Sequence, residues 1–241
     1  MIAHLLFEQS GTFRDEFRKL GIEAYDYDIE NQFGQTDYQI DLFNEIEKCY
    51  GRGESIFDNI KQDDISMAFF PCIMFSDQQL LNYRGENGGM KNWTLKQKLE
   101  YNLEQHDKLN HFYKLITKLV LIYIDRNLKL IIENPLNING THYLTNYWAF
   151  KSTIKDTNRE RNGDVRVKPT QYWFLNCEPK NNYVNDRLEP TEHKTHRKTH
   201  GIERSIIHPQ YARRFIKRYI IDYDSKTEKD PSDVKTIFDY L

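Results

Sequence analysis

The chain has no run of about 18 apolar residues, so a membrane-spanning helix is not expected. Its opening, "MIAHLLFEQS", lacks the basic flank and cleavage pattern of a secretory signal and reads as a first strand. Cysteine is scarce: Cys49, Cys72 and Cys177 are the only three in 241 residues, and no CxxC pair suggests zinc. An odd, widely spaced set excludes a disulfide framework and points to a reducing compartment, so a cytoplasmic protein is expected. There is no internal repeat.

What is present describes a folded domain. Hydrophobic residues make up 39% and charged residues 29%, which excludes a disordered chain. The length suits one large domain with a sizeable core. The 16 Tyr and 14 Phe suit both a core and the stacking of bases. The net charge of −2 hides an asymmetry. Residues 1–65 carry 15 Asp/Glu against 6 Lys/Arg, whereas residues 151–220 carry 16 Lys/Arg against 8 Asp/Glu. A basic half with interleaved aromatics fits a phosphate-bearing partner; a solvated charged surface is the bland alternative.

Along the first third, strands and helices alternate. "IAHLLFE" is an apolar run. "TFRDEFRKLG" sets Phe13, Phe17 and Leu20 at helical spacing with Gly21 as a stop. "IEAYDYDI" follows as a second strand, then a short element and a helix ending near Gly51, then the apolar strand "ISMAFFPC". This rhythm predicts an α/β fold with a doubly wound, mostly parallel sheet and helices on both faces. Residues 77–94 read as a polar loop. A long helix is expected over about 95–126, with Leu99, Leu103, Phe112, Ile116, Leu119 and Tyr123 tracing its apolar side. "LKLIIENP" is the next strand, and residues 136–205 read as irregular and polar with short extended pieces such as "QYWFLN". "HPQYARRFIKRYII" is a helix with Pro209 in its first turn, and a short helix is expected after the linker "YDSKTEKDPSD". The expected organisation is a catalytic domain over 1–176, completed by a basic loop and C-terminal helices over 177–241.

Three carboxylates fall where strands of such a sheet end, the place where ligands bind. They are Glu8, Asp28 and Asp41. A carboxylate ending the second strand can accept both hydroxyls of a ribose, and Gly11 lets the first turn approach a ligand. Helix caps and solvated turns explain the same residues. Cys72 follows Pro71 at the end of an apolar strand, beside a polar loop, and Glu133 closes "LKLII". A thiol and a carboxyl at neighbouring strand ends suit nucleophilic addition to a pyrimidine with acid assistance.

The order of these motifs resembles that of the S-adenosylmethionine-dependent cytosine-C5 DNA methyltransferases, in particular their short phage and prophage members. "LFEQSGTF" stands where the family has Phe-x-Gly-x-Gly, "YDYDI" at the ribose acid, "IDLF" at the adenine acid, "FPCIMFS" at the catalytic Pro-Cys motif and "ENP" at the Glu-Asn motif. "VRVKPTQYWF" is similar to the later arginine-containing motif. The resemblance spans roughly residues 3–176 and implies a Rossmann-like methyltransferase fold. It implies S-adenosylmethionine held by Phe7, Gln9, Ser10, Gly11, Asp28, Ile29, Asp41, Leu42, Phe70 and Pro71. It implies catalysis by Cys72, Glu133 and Arg166, with Lys168 near the flipped nucleotide, and no metal. Gln9 replaces a family glycine, and residues 177–203 are shorter than the usual target-recognition insertion.

The expected activity is transfer of methyl to C5 of cytosine in DNA through a thiolate adduct at C6. Two alternatives stay open: a non-catalytic DNA-binding or counter-defence protein of the same fold, and a modifier of free pyrimidine nucleotides. The expected partner is DNA, double- or single-stranded, or a free nucleotide, with no membrane. His193, His196, His200 and His208 read as part of a basic loop touching phosphates rather than as metal ligands.

Overall fold

A computed structural model describes residues 1–137, 139–189 and 206–224. His193, His196 and His200, and the short helix expected after the linker, lie outside the described residues. The strands are β1 (Ala3–Leu6), β2 (Ala24–Asp28), β3 (Tyr38–Gln39), β4 (Ile65–Ala68), β5 (Lys129–Pro135), β6 (Ile154–Asp156) and β7 (Thr170–Leu175). The helices are α1 (Thr12–Lys19), α2 (Leu42–Tyr50), α3 (Gln78–Tyr83), α4 (Leu95–Asp125), α5 (Tyr143–Tyr147) and α6 (Pro209–Phe215).

The seven strands form one sheet in the order β3-β2-β1-β4-β5-β7-β6. The first five are parallel, and β7 runs antiparallel to both β5 and β6. Each parallel strand is followed by a crossover, which lays helices on both faces. Alternate residues of the strands divide between two cores. On one face Leu6, Ala68, Leu130, Ile132 and Trp173 pack beneath α2, α4 and α5. On the other, Ala3, Leu5, Met67, Ile131 and Tyr172 pack with Phe13 and Phe17 of α1 and with Tyr211 and Phe215 of α6. All four residues of β1 and of β4 are buried, as strands covered on both faces require. Residues 207–216 therefore complete a core that starts with the first strand.

Three expectations need correction. Leu99 and Leu103 do not line the apolar side of α4; they are 54% and 70% exposed. At 31 residues α4 is about 47 Å long, twice the roughly 23 Å of the seven-residue β5, so its first half overhangs the sheet. Residues 77–94 are not simply a loop, since α3 lies within them. The stretch after β5 is less irregular than its polarity suggests: it holds α5, β6, a 3-10 turn over Arg159–Asn162 and β7. Pro209 occupies the first turn of α6, and His208 caps it by accepting the Gln210 N–H at 3.3 Å. Among the described residues no helix is long and apolar enough to cross a membrane.

Candidate active site

From β1 the chain builds outward to β2 and β3 on one side and to β4 and β5 on the other. The point of reversal lies between β1 and β4, and ligands of such sheets bind in the crevice outside the carboxyl ends there. A cleft of about 530 Å³ opens at this point. That is within the ~300–1,000 Å³ usual for small-molecule sites.

The loop after β1 supplies Phe7, Glu8, Gln9 and Ser10 to the cleft. Phe7 sits at φ 62, a left-handed conformation uncommon for an aromatic residue. Its N–H is fixed by the Tyr27 carbonyl at 2.8 Å, and its ring packs on Phe43 and Phe70. Glu8 is buried and serves α1: Oε1 accepts the Phe13 N–H at 2.7 Å and Oε2 the Arg14 N–H at 3.3 Å. Burial pushes its carboxyl up to about 8, against the pull of those two donors, so it holds its proton at neutral pH. The Gln9 amide oxygen accepts the Gln32 N–H at 3.4 Å, tying this loop to the one after β2. Gly11 is not among the cleft-lining residues. Its φ is 63, and a Cβ there would sit 2.3 Å from Arg14 Nη2. Glycine is needed at this position for the buried Arg14–Asp26 pair, 2.8 Å apart, as much as for any ligand.

Asp28, Ile29 and Asp41 reach the cleft from the ends of β2 and β3, and Leu42 and Phe43 from the start of α2. Asp28 is buried, accepts the Glu30 N–H at 2.8 Å, and is shifted upward chiefly by desolvation. Asp41 is exposed and caps α2, accepting the Phe43 and Asn44 N–H groups through Oδ1. The capping alternative thus holds for Asp41, at a position that also lines the cleft. Ile29 is 57% exposed beside these acids.

The fourth wall holds the chemistry. Phe69, Phe70, Pro71 and Cys72 follow β4, and Glu133 and Lys168 face them. Cys72 is half-buried. Desolvation pushes its thiol up, the Lys168 ammonium pulls the other way, and the Glu133 carboxyl adds to the rise. Glu133 is 8% exposed, and its Oε1 has no hydrogen-bond partner among the described residues. A buried carboxyl oxygen left without a partner is costly unless a ligand supplies one. Arg166 is buried but is not among the cleft-lining residues; Lys168, two positions on, is.

Comparison of the sequence with protein-family models and with curated proteins gives no match.

A polar clamp behind Cys72 had no sequence signal beyond the neighbouring Glu-Asn pair. Buried Asn134 donates to the Phe70 carbonyl at 3.0 Å, fixing the residue before Pro71. Its Oδ1 lies 3.1 Å from His142 Nε2. An amide oxygen only accepts, so Nε2 carries the hydrogen, leaving Nδ1 to accept from Gln171 Nε2 at 3.5 Å. Burial lowers the His142 imidazole to about 4, so it is neutral at physiological pH. Among the described residues no three His, Cys, Asp or Glu side chains are grouped to hold a metal ion.

Proposed function

We propose that the protein transfers a methyl group from S-adenosylmethionine to C5 of cytosine in DNA, with Cys72 as the nucleophile, and that its sheet is of the Rossmann-like methyltransferase type. The observation that carries this is the pair formed by Cys72 and the unpartnered Glu133 carboxyl in one cleft at the sheet's switch point. A second observation supports the choice of donor. Among the described residues that line the cleft, Asp28, Glu30 and Asp41 face a single lysine, a field that favours a cationic ligand over a phosphate-bearing one. S-adenosylmethionine is such a ligand, and when bound it supplies an electrophilic methyl group.

Asp28 is suited to accept the ribose hydroxyls, with exposed Ile29, Leu42 and Phe43 offering apolar surface to the adenine and Asp41 an acceptor for its amino group. Phe7, Gln9 and Ser10 would border the methionine end, and Phe70 and Pro71 would separate it from the pyrimidine.

The Cys72 thiolate adds to C6 of the base and forms a C–S bond. The C5–C6 π pair moves to C4–C5, the C4–N3 π pair moves onto N3, and N3 takes a proton from Glu133. C5 thereby becomes an enamine carbon, able to attack a methyl electrophile. After C5 takes the methyl group its proton leaves to solvent, that electron pair restores the C5–C6 double bond as the C–S bond breaks and returns the thiolate, and the N3 proton goes back to Glu133. Lys168 favours the thiolate electrostatically, and the Asn134–His142 clamp holds the turn that carries it.

Transfer of labelled methyl to DNA, to single strands and to free cytosine nucleotides tests the reading. Cys72→Ser should abolish transfer and leave DNA binding within about twofold. Failure of the wild type to methylate any of these substrates sinks the catalytic reading. Calorimetry with S-adenosylmethionine separates it from a cofactor-free binding protein, which would bind none.

A further inference from the structure

A second pocket, of about 260 Å³, lies at the far edge of the sheet. Its floor is β6 and the 3-10 turn Arg159–Asn162, and its wall is the end of α6 with the π turn Ile216–Ile220. Lys155, Arg161, Arg214 and Arg218 line it.

These four cations have no carboxylate partner among the described residues, although other basic groups of the same region do. Arg159, Arg213 and Lys217 are each paired to an acid. The one carboxylate among the described residues that line the pocket already accepts three hydrogen bonds. Asp156 Oδ1 accepts the Asn158 N–H at 3.0 Å, and Oδ2 accepts from Asn162 Nδ2 at 2.9 Å and from the Tyr211 hydroxyl at 3.1 Å. Arg214 is held at its outer nitrogens by the Asp186 and Val184 carbonyls at 3.4 and 3.5 Å, and its buried Nε has no partner among the described residues. Arg218 lies over the half-buried ring of Tyr219, 5.2 Å from its centroid.

Four cations against one carboxylate leave the described lining of this pocket net positive, which favours an anion. Its volume is many times the ~30 Å³ share of one water, more than inorganic phosphate fills. The spare room is bordered by Tyr219 and by the amides of Asn158 and Asn162, which suit a sugar and a base. The pocket is also aligned with the cleft. Glu133 pairs with Tyr172, which pairs with Ile154 of the pocket, so one residue of each site stands in the same row, about 10 Å or two strand spacings apart along the sheet.

We infer that this pocket binds the phosphate of a nucleotide, with Arg161 and Arg218 as its exposed ligands and Arg214 as its inner one. The inference rests on the nucleic-acid half of the proposed function and not on methyl transfer. The source of the phosphate is a strand whose target base lies in the cleft, or a free nucleotide.

The test compares wild type with the double variant Arg161→Ala/Arg218→Ala, both exposed positions whose loss leaves the core intact. The probes are a fluorescein-labelled single-stranded 12-mer, titrated at several salt concentrations by anisotropy, and dCMP, titrated by calorimetry without S-adenosylmethionine. For the strand, the variant should bind about 10-fold more weakly, with a salt slope shallower by about 1.4, or ~0.7 for each lost phosphate contact. Weakening for the strand alone identifies a strand phosphate, and weakening for dCMP alone a free nucleotide; either supports the site. Equal binding by variant and wild type, for both probes, overturns the pocket while leaving methyl transfer standing. A wild type that binds neither probe overturns the pocket together with the nucleic-acid reading. Circular dichroism of the variant confirms that it is folded.

Discussion

Glu8 should make the protein less stable as pH rises through neutrality, and Glu8→Gln should remove that dependence. The carboxyl is 6% exposed at the start of α1, where Gly11 offers no side-chain cap. Its value rises from 4.5 unfolded to about 8 folded, driven by desolvation. Between those limits the folded chain holds a proton that the unfolded chain has released. The unfolded state then binds fewer protons, so stability falls with pH, by up to about 1.4 kcal/mol per unit and at most about 5 kcal/mol over the window. Above pH 8 the loss is complete. Asp26 and Asp28 are also raised and act in the same direction, whereas buried His4 and His142 are lowered and act oppositely. Comparing variant with wild type cancels all four. Glutamine keeps an acceptor for the Phe13 N–H but sets an amide donor against the Arg14 N–H, an offset that does not vary with pH. Urea denaturation followed by tryptophan fluorescence at pH 5, 6, 7 and 8 measures the difference. The variant should gain at least ~2 kcal/mol on wild type between pH 5 and pH 8. Parallel stability curves would refute the buried-proton argument.

Three further outcomes are expected. Gly11→Ala should destabilise by about 3 kcal/mol or more in thermal denaturation, because the new Cβ meets Arg14 and threatens its buried pair with Asp26. Asp28→Asn, which keeps an acceptor for the Glu30 N–H, should weaken S-adenosylmethionine binding about 10-fold by calorimetry, the worth of one charge-assisted hydrogen bond; unchanged affinity would remove Asp28 from the proposed ribose site. His142→Ala should lower kcat for methyl transfer while leaving cofactor affinity unchanged, because it frees the Asn134 clamp behind Cys72. In the wild type the stability owed to neutral His142 is present above about 6.5 and lost as pH falls toward about 4.

β1, β4 and β5 were legible because burial on both faces demands unbroken apolar runs, and "AHLL", "ISMA" and "LKLII" are such runs; the exposed two-residue β3 showed only as a short element. The three-residue β6, "IKD", is a polar edge strand with no run to betray it. β7 was visible as an extended piece, but its insertion between β5 and β6 is a long-range pairing that no local pattern encodes. The spacing of α4 was readable, whereas the end of the sheet beneath its first half was not, and so Leu99 and Leu103 were misplaced. In the site, residues at strand ends could be found because the architecture fixes where strand ends meet. His142 and Gln171 could not, since each works through a partner brought by the fold.

The electrostatics of Cys72 bear on when the proposed chemistry can start. Burial and the Glu133 carboxyl both hold the thiol in its protonated, unreactive form, and Lys168 alone opposes them. A nucleophile left as a permanent thiolate would invite oxidation or stray alkylation. Here a base bound against Glu133 would give its unpartnered oxygen a hydrogen-bond partner. To donate to N3, however, the Glu133 carboxyl must first carry a proton, which lifts its opposition to the Cys72 thiolate; that opposition returns once N3 takes the proton, so addition at C6 must consume the thiolate in the same step. The electrostatics therefore favour proton donation to N3 in concert with thiolate addition, the thiol proton leaving to solvent as the C–S bond forms, over a preformed ion pair. Cys72 in the unliganded protein should accordingly react slowly with iodoacetamide at pH 7, and Lys168→Met should slow it further; rapid alkylation of the unliganded wild type would mean that the thiolate forms before a base is bound.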